Sequence, residues 1–211
     1  MSQITSILPQ VKDKTRFNIF VDGKFAVAAD AEIVLKKNLK VGKEITPEDV
    51  EQLENQNKIG LLMNQVLGII SRRPRSKREI EQYLHKKHAT DKQKEIIIMK
   101  LGNLGYVNDK EFIDWWLDQR QTFRPRGKIA LFQELRQKGI DENLINEQLE
   151  KNEEEGKSEF ILARKLAEKR LSRYKNLPPL ELRQKMTRYL IQRGFTWDTA
   201  GEVIDSLVKK D

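Results

Sequence analysis

The chain has 211 residues and a formal net charge of +8, with 38% hydrophobic and 34% charged side chains. It contains no cysteine, which excludes disulfides and thiolate metal sites, and no apolar run reaches the roughly 20 residues of a membrane span. With no signal-peptide core in Met1 to Lys14, the expected address is cytoplasmic.

The charge is unevenly spread. Residues 57–110 carry 12 basic and 5 acidic side chains, and residues 157–211 carry 13 and 7. Residues 1–56 carry 8 and 9, and residues 111–156 carry 7 and 11. Two basic blocks therefore flank an acidic-leaning middle. Concentrated positive charge attracts polyphosphate backbones and releases their counterions.

In chain order, Arg16 to Val21 and Lys24 to Ala28 read as two strands. Asp22-Gly23 between them supplies the positive φ angles of a tight hairpin turn. Ala31 to Asn38 reads as a short helix with Asp30 as its N-cap, and Gly42 ends this unit. Thr46-Pro47-Glu48-Asp49 is a helix start: Thr46 caps, Pro47 suits the first position, and two acids face the helix dipole. That helix either continues or breaks and restarts before Leu61, with the unit boundary near Asn55 to Lys58. Ser76 to Glu79 and Thr90 to Gln93 read as capping boxes, and Asn108 to Glu111 approximates a third. Gly105, Gly139 and Gly194 follow apolar-periodic stretches, where a left-handed C-terminal glycine belongs.

The chain repeats itself. Arg73-Pro74-Arg75-Ser76 through Leu84 superimposes on Arg124-Pro125-Arg126-Gly127 through Leu135 at an offset of 51 residues. Leu135 to Ile140 matches Leu190 to Phe195 at an offset of 55. The reading is mainly α: tandem three-helix repeats at 57–108, 109–156 and 157–211, forming an elongated curved array. A small N-terminal β-hairpin unit at 1–56 precedes them. The acidic stretch Glu150 to Gly156 links the last two copies as a candidate hinge.

The two proline turns are the candidate site. Arg72, Arg73, Arg75, Lys77 and Arg78 surround one helix N-terminus, and Arg120, Arg124, Arg126 and Lys128 repeat the arrangement. Cations at that end oppose the dipole, so an anionic partner is expected there, against the alternative that the arginines pair with the chain's own acids. One of Trp115 and Trp116 is expected in the core, and Tyr174 and Tyr189 are read first as packing residues. No Gly-rich phosphate loop or Ser-His-acid order is present. Asp109, Glu111, Asp114 and Asp118, or His85 and His88, could be imagined around a metal, but solvated helix faces carry such spacings routinely. The expectation is a protein that is not an enzyme and has no metal or cofactor. The alternative reading is a stand-alone helical DNA-binding transcriptional regulator.

These motifs resemble the RecX family. The resemblance rests on the arginine-rich turn and Leu-ending helix from Arg73 to Leu84, and on Leu101 to Phe112 with its Leu-Gly-Tyr core. It continues through Trp115-Trp116 to Arg120 and through Gly127 to Ile140, and it spans roughly residues 60–208. It implies binding to the filament of the recombinase RecA on DNA, with inhibition of recombinase and ATPase activities in repair and recombination. It also implies weak, salt-sensitive contact with single- and double-stranded DNA. A monomer without membrane association is expected.

Overall fold

The computed structural model describes residues 2–11, 13–154, 158–174 and 177–208. Among these residues lie four strands and ten helices in two compact units. The first unit comprises residues up to 72 together with 83–100, and the second comprises 73–82 and everything from 101 onward.

In the first unit, β1 (Ser2–Pro9), β2 (Arg16–Val21), β3 (Lys24–Asp30) and β4 (Glu44–Ile45) form one sheet in the order β3-β2-β1-β4. The β2–β3 hairpin turns at Asp22 (φ 50°) and Gly23 (φ 79°), the doubly left-handed geometry that matches strand twist. β1 and β4 extend the expected hairpin to four strands. A bulge between Ile4 and Ser6 interrupts β1's alternation, and β4 is two residues long, so neither carries a clear period-two signature. Helix α1 (Ala31–Lys36) follows β3. Asp30 is its N-cap residue but makes no side-chain cap bond; its carboxylate lies 3.5 Å from Arg16 instead.

Helix α2 (Pro47–Ile70) is one unbroken element, so the position expected to separate hairpin unit from repeats lies inside a helix. It starts on a reciprocal box: the Asp49 N–H donates to Thr46 Oγ1 at 3.2 Å, and the Thr46 N–H donates to Asp49 Oδ2 at 3.0 Å. Leu53 of α2 is buried with Ile4, Ile19, Val27, Ala29 and Ile45 of the sheet. Further along, Ile59, Leu62 and Val66 are buried, as are Leu84 and Ile97. Helix α3 (Lys77–Lys86) spans both units, and α4 (Asp91–Asn103) begins on the expected Thr90–Gln93 box.

The second unit holds two three-helix repeats. Helices α5 (Asp109–Phe123), α6 (Lys128–Gln137) and α7 (Glu142–Glu154) bury Phe112, Ile113, Leu117, Leu135 and Ile145 among one another. Helices α8 (Glu159–Leu171), α9 (Pro179–Ile191) and α10 (Trp197–Val208) close on Ala163, Ala167, Met186, Leu190, Phe195 and Val203. α7 runs to Glu154, and the remainder of the expected acidic hinge, Glu155 and Gly156, lies outside the described residues, as does Lys175.

The middle helix of each repeat ends alike. The N–H of Ala89, Ile140 and Phe195 returns to the carbonyl of Leu84, Leu135 and Leu190, five residues back. The residue before each is left-handed: His88 (φ 56°), Gly139 (φ 81°) and Gly194 (φ 83°). In the second unit these turns receive the start of the preceding repeat's middle helix. The Gly127 N–H donates to Arg193 O at 3.0 Å, and the Ile129 N–H to Gly194 O at 3.1 Å. The Lys128 N–H donates to Glu159 Oε1 at 2.7 Å, so the next repeat satisfies donors that α6 cannot satisfy itself. One step earlier, Ser76 Oγ donates to Lys138 O at 2.8 Å while accepting from the Glu79 N–H at 3.2 Å.

Contact at the α6–α9 joint is backbone on backbone. A Cβ on Gly127 would collide with Gly194, and one on Gly194 would collide with Ala130. At Gly139 the added atom meets only the side chain of Arg78, at 3.0 Å. Gly194→Ala therefore loses about 2–4 kcal/mol of stability in urea denaturation, from left-handed strain plus overlap. Gly139→Ala loses less, about 1–2 kcal/mol, chiefly from left-handed strain, because the added atom meets the Arg78 side chain at 3.0 Å and no backbone atom closer.

Glu79 completes only half of the expected box. Its N–H bonds to Ser76, but its carboxylate turns to Arg73 Nη1 (2.9 Å), Arg73 Nη2 (3.1 Å) and Lys138 Nζ (2.7 Å). Burial pushes this carboxyl upward, but the hydrogen bonds from Arg73 and Lys138 outweigh that and hold it below its ordinary value of 4.5. A depressed folded-state pKa means stability that is present above the unfolded value and lost as pH falls through the folded one. Wild type should thus exceed Glu79→Gln in unfolding free energy by about 1–3 kcal/mol near neutrality. The gap should shrink progressively below pH about 4.5, as read by denaturation across a pH series.

Candidate functional site

The sequence-predicted cations divide into two kinds. Arg73 pairs with Glu79 and lies 5.0 Å over the Trp115 ring, and Arg75 lies 4.0 Å from the same carboxylate. Arg120 Nε bonds Glu134 Oε2 at 2.6 Å and stacks on Trp116 at 4.6 Å, while Arg126 Nε lies 3.8 Å from Glu134 Oε1. Lys128 approaches Glu153 at 3.8 Å. These five residues hold the protein's own acids, the alternative weighed for them in the sequence. Arg72, Lys77, Arg78 and Arg124 are exposed.

Both tryptophans pack partly buried on the Phe112 cluster, so neither is a free stacking platform. Trp116 also donates from Nε1 to Glu134 at 2.9 Å. Asp109, weighed as a metal ligand, is held above its ordinary pKa by burial, with nearby Lys77 opposing that shift. Among the described residues, no group of three or more His, Asp or Glu side chains is placed to hold a metal ion. Nor is any helix there long and apolar enough to cross a membrane.

A cleft of about 710 Å³ in the second unit gathers six cations. The end of α5 and its proline turn supply Arg124 and Arg126. Helix α8 supplies Lys165, Lys169 and Arg170, and the end of α9 supplies Arg193. Among the described residues, no carboxylate lines the cleft. Among the described residues, Arg124, Lys165, Lys169, Arg170 and Arg193 make no ion pair.

Aromatic rings hold two of these cations in place. The Arg170 guanidinium lies 5.0 Å from the Tyr189 ring centre and 5.4 Å from that of Tyr174, whose hydroxyl it reaches at 3.2 Å. Arg193 lies 5.2 Å from Tyr189. A guanidinium so stacked keeps its charge and its planar donor edge with little freedom left to lose on binding. Phe123, 73% exposed, stands at the rim. Six cations, five of them without an acid, suit a polyanion, bound through charge and counterion release rather than through a single anchoring bond.

Of the nine predicted cations, the structure brings Arg124 and Arg126 to this cleft. Lys165, Lys169, Arg170 and Arg193 were missed as individual residues. The surplus of basic residues beyond position 157 was their signal, and Arg193 stands at the repeat position of Lys138.

Comparison with known proteins agrees with this architecture. Residues 2–46 match the regulatory protein RecX N-terminal domain, 108–149 the second three-helix domain of RecX, and 158–204 the third. Regulatory protein RecX of Bacillus subtilis (strain 168) is 34% identical over 207 residues, covering 98% of this chain and 78% of that protein. Its counterpart in Listeria monocytogenes (strain EGD-e) is 32% identical, covering 94% and 73%. A crystal structure of regulatory protein RecX superimposes with a TM-score of 0.81 at 26% identity, covering 97% of this chain and 100% of that one. RecX from Lactobacillus salivarius gives 0.64 at 26%, covering 71% and 96%. With matching domains at both ends and relatives at about one-third identity along nearly its whole length, this chain belongs to the RecX family of regulatory proteins.

Proposed function

We propose that this protein is a negative regulator of RecA: it binds the RecA–DNA filament in its helical groove and inhibits recombinase and ATPase activities. Family membership supports RecA as the regulated partner. The observation that carries the mode of binding is the acid-free cleft, with Arg124, Lys165, Lys169, Arg170 and Arg193 free of internal ion pairs. In this reading the cleft grips phosphate of the filament's DNA, so contact with free single or double strands is weak and falls steeply with salt. The chain acts by occupancy rather than by chemistry, and no cofactor enters.

The alternative of a sequence-reading transcription factor needs a helix that presents several base-reading side chains in a groove. The cleft offers backbone-seeking cations instead.

The test is co-sedimentation with preassembled RecA filaments, followed by ATPase measurement. Wild type should pellet with filaments and lower ATP turnover. Arg124→Glu combined with Lys165→Glu should weaken co-sedimentation at least about tenfold, with the salt dependence of binding reduced by about two in slope. Failure of wild type to pellet overturns the functional reading. Full inhibition by the double variant overturns the assignment to the cleft. Arg73→Glu is unsuitable as a probe of contact, because it would break the Glu79 cluster.

A further inference from the structure

Glu134 stands beside a site that would bind polyanions, which on charge alone is the wrong place for a carboxylate. Its geometry gives it another role. Oxygen Oε2 is fixed by Trp116 Nε1 at 2.9 Å and Arg120 Nε at 2.6 Å. Arg120 is itself stacked on Trp116. Oxygen Oε1 faces Arg126 Nε at 3.8 Å, and that nitrogen is buried without a hydrogen bond. Arg126 is also a lining residue of the cleft. One residue on, Gly127 ties the turn down through Arg193 O. The carboxylate is thus a fixed post against which the inner edge of the Arg126 guanidinium rests.

We infer that Glu134 is a positioning residue of the cleft: it orients Arg126 for phosphate, and its presence strengthens polyanion binding despite its negative charge. This rests on the cleft being a polyanion site. Two effects compete. Unit charge repels phosphate, but Arg120 at 2.6 Å largely neutralises it, and salt screens the remainder beyond about 8 Å. Against that, a free arginine must be ordered on every binding event, which weakens association about two- to tenfold per side chain. Preorganisation therefore wins.

The experiment is fluorescence anisotropy of the full chain with a labelled oligothymidylate of about twenty nucleotides, ample for a single-strand site. Glu134→Gln keeps an acceptor for Trp116 and raises the formal charge by one. Simple electrostatics requires it to bind more tightly. The inference requires it to bind about two- to tenfold more weakly, with the salt slope little changed because Arg126 still reaches phosphate once ordered. In an Arg126→Ala background the effect should vanish or reverse, because no guanidinium remains to be aimed.

Equal or tighter binding by Glu134→Gln overturns the inference. So does an equal loss in the Arg126→Ala background, which would mark Glu134 as mere structural support. The Arg124→Glu/Lys165→Glu variant separates the two levels. If it too binds like wild type, or if wild type does not bind the oligonucleotide, the cleft reading itself fails. If it loses binding while Glu134→Gln does not, only the role of Glu134 fails.

Discussion

The seating of a helix N-terminus on a left-handed turn is the contact on which the second unit depends. Helix α6 begins with donors that Gly127 cannot cap, and they are satisfied by Arg193 O, Gly194 O and Glu159 from the following repeat. Neither repeat could bury those groups alone. Because the approach is backbone on backbone, it fixes the α5–α6 turn relative to α8 and α9. That relationship shapes the cleft: its walls belong to two repeats, and its cations converge only while the joint is closed.

Two carboxylates organise much of the positive charge. Glu79 gathers Arg73, Arg75 and Lys138, and Glu134 gathers Arg120, Arg126 and the Trp116 N–H. Each acid meets more cations than it can neutralise, so the joints stay net positive while their arginines are held still. Stacking on Trp115, Trp116 and Tyr189 does the same by another route. Clustered arginines ordinarily repel one another and wander. Here they are held in order by the chain's own acids and rings.

Much of this could be read from residue order. The offsets of 51 and 55 aligned the middle helices α3, α6 and α9, and Gly139 and Gly194 marked the turns on which the joints form. The Thr90–Gln93 box was legible because both of its halves are local. The Ser76 box was only half legible. Whether Glu79 turns back to its own helix or outward to Lys138 depends on a residue 59 positions away, which spacing cannot reveal. For the same reason Arg73 and Arg124, identical in motif, have opposite fates. Glu79 lies within reach of the first, whereas its repeat equivalent beside the second is Ala130. Strand β1 was hidden by its bulge. The cleft was hidden because it is assembled from three helices whose separate cations resemble any solvated surface.

His88 occupies the turn position that glycine fills at 139 and 194, and its carbonyl accepts a bond from Lys58 Nζ at 3.1 Å. A histidine in that conformation is tolerable only where no incoming backbone needs the space of its Cβ. Were another three-helix segment placed ahead of the first, its middle helix could not close on this turn backbone to backbone, as α6 closes on Gly194, while the imidazole stayed.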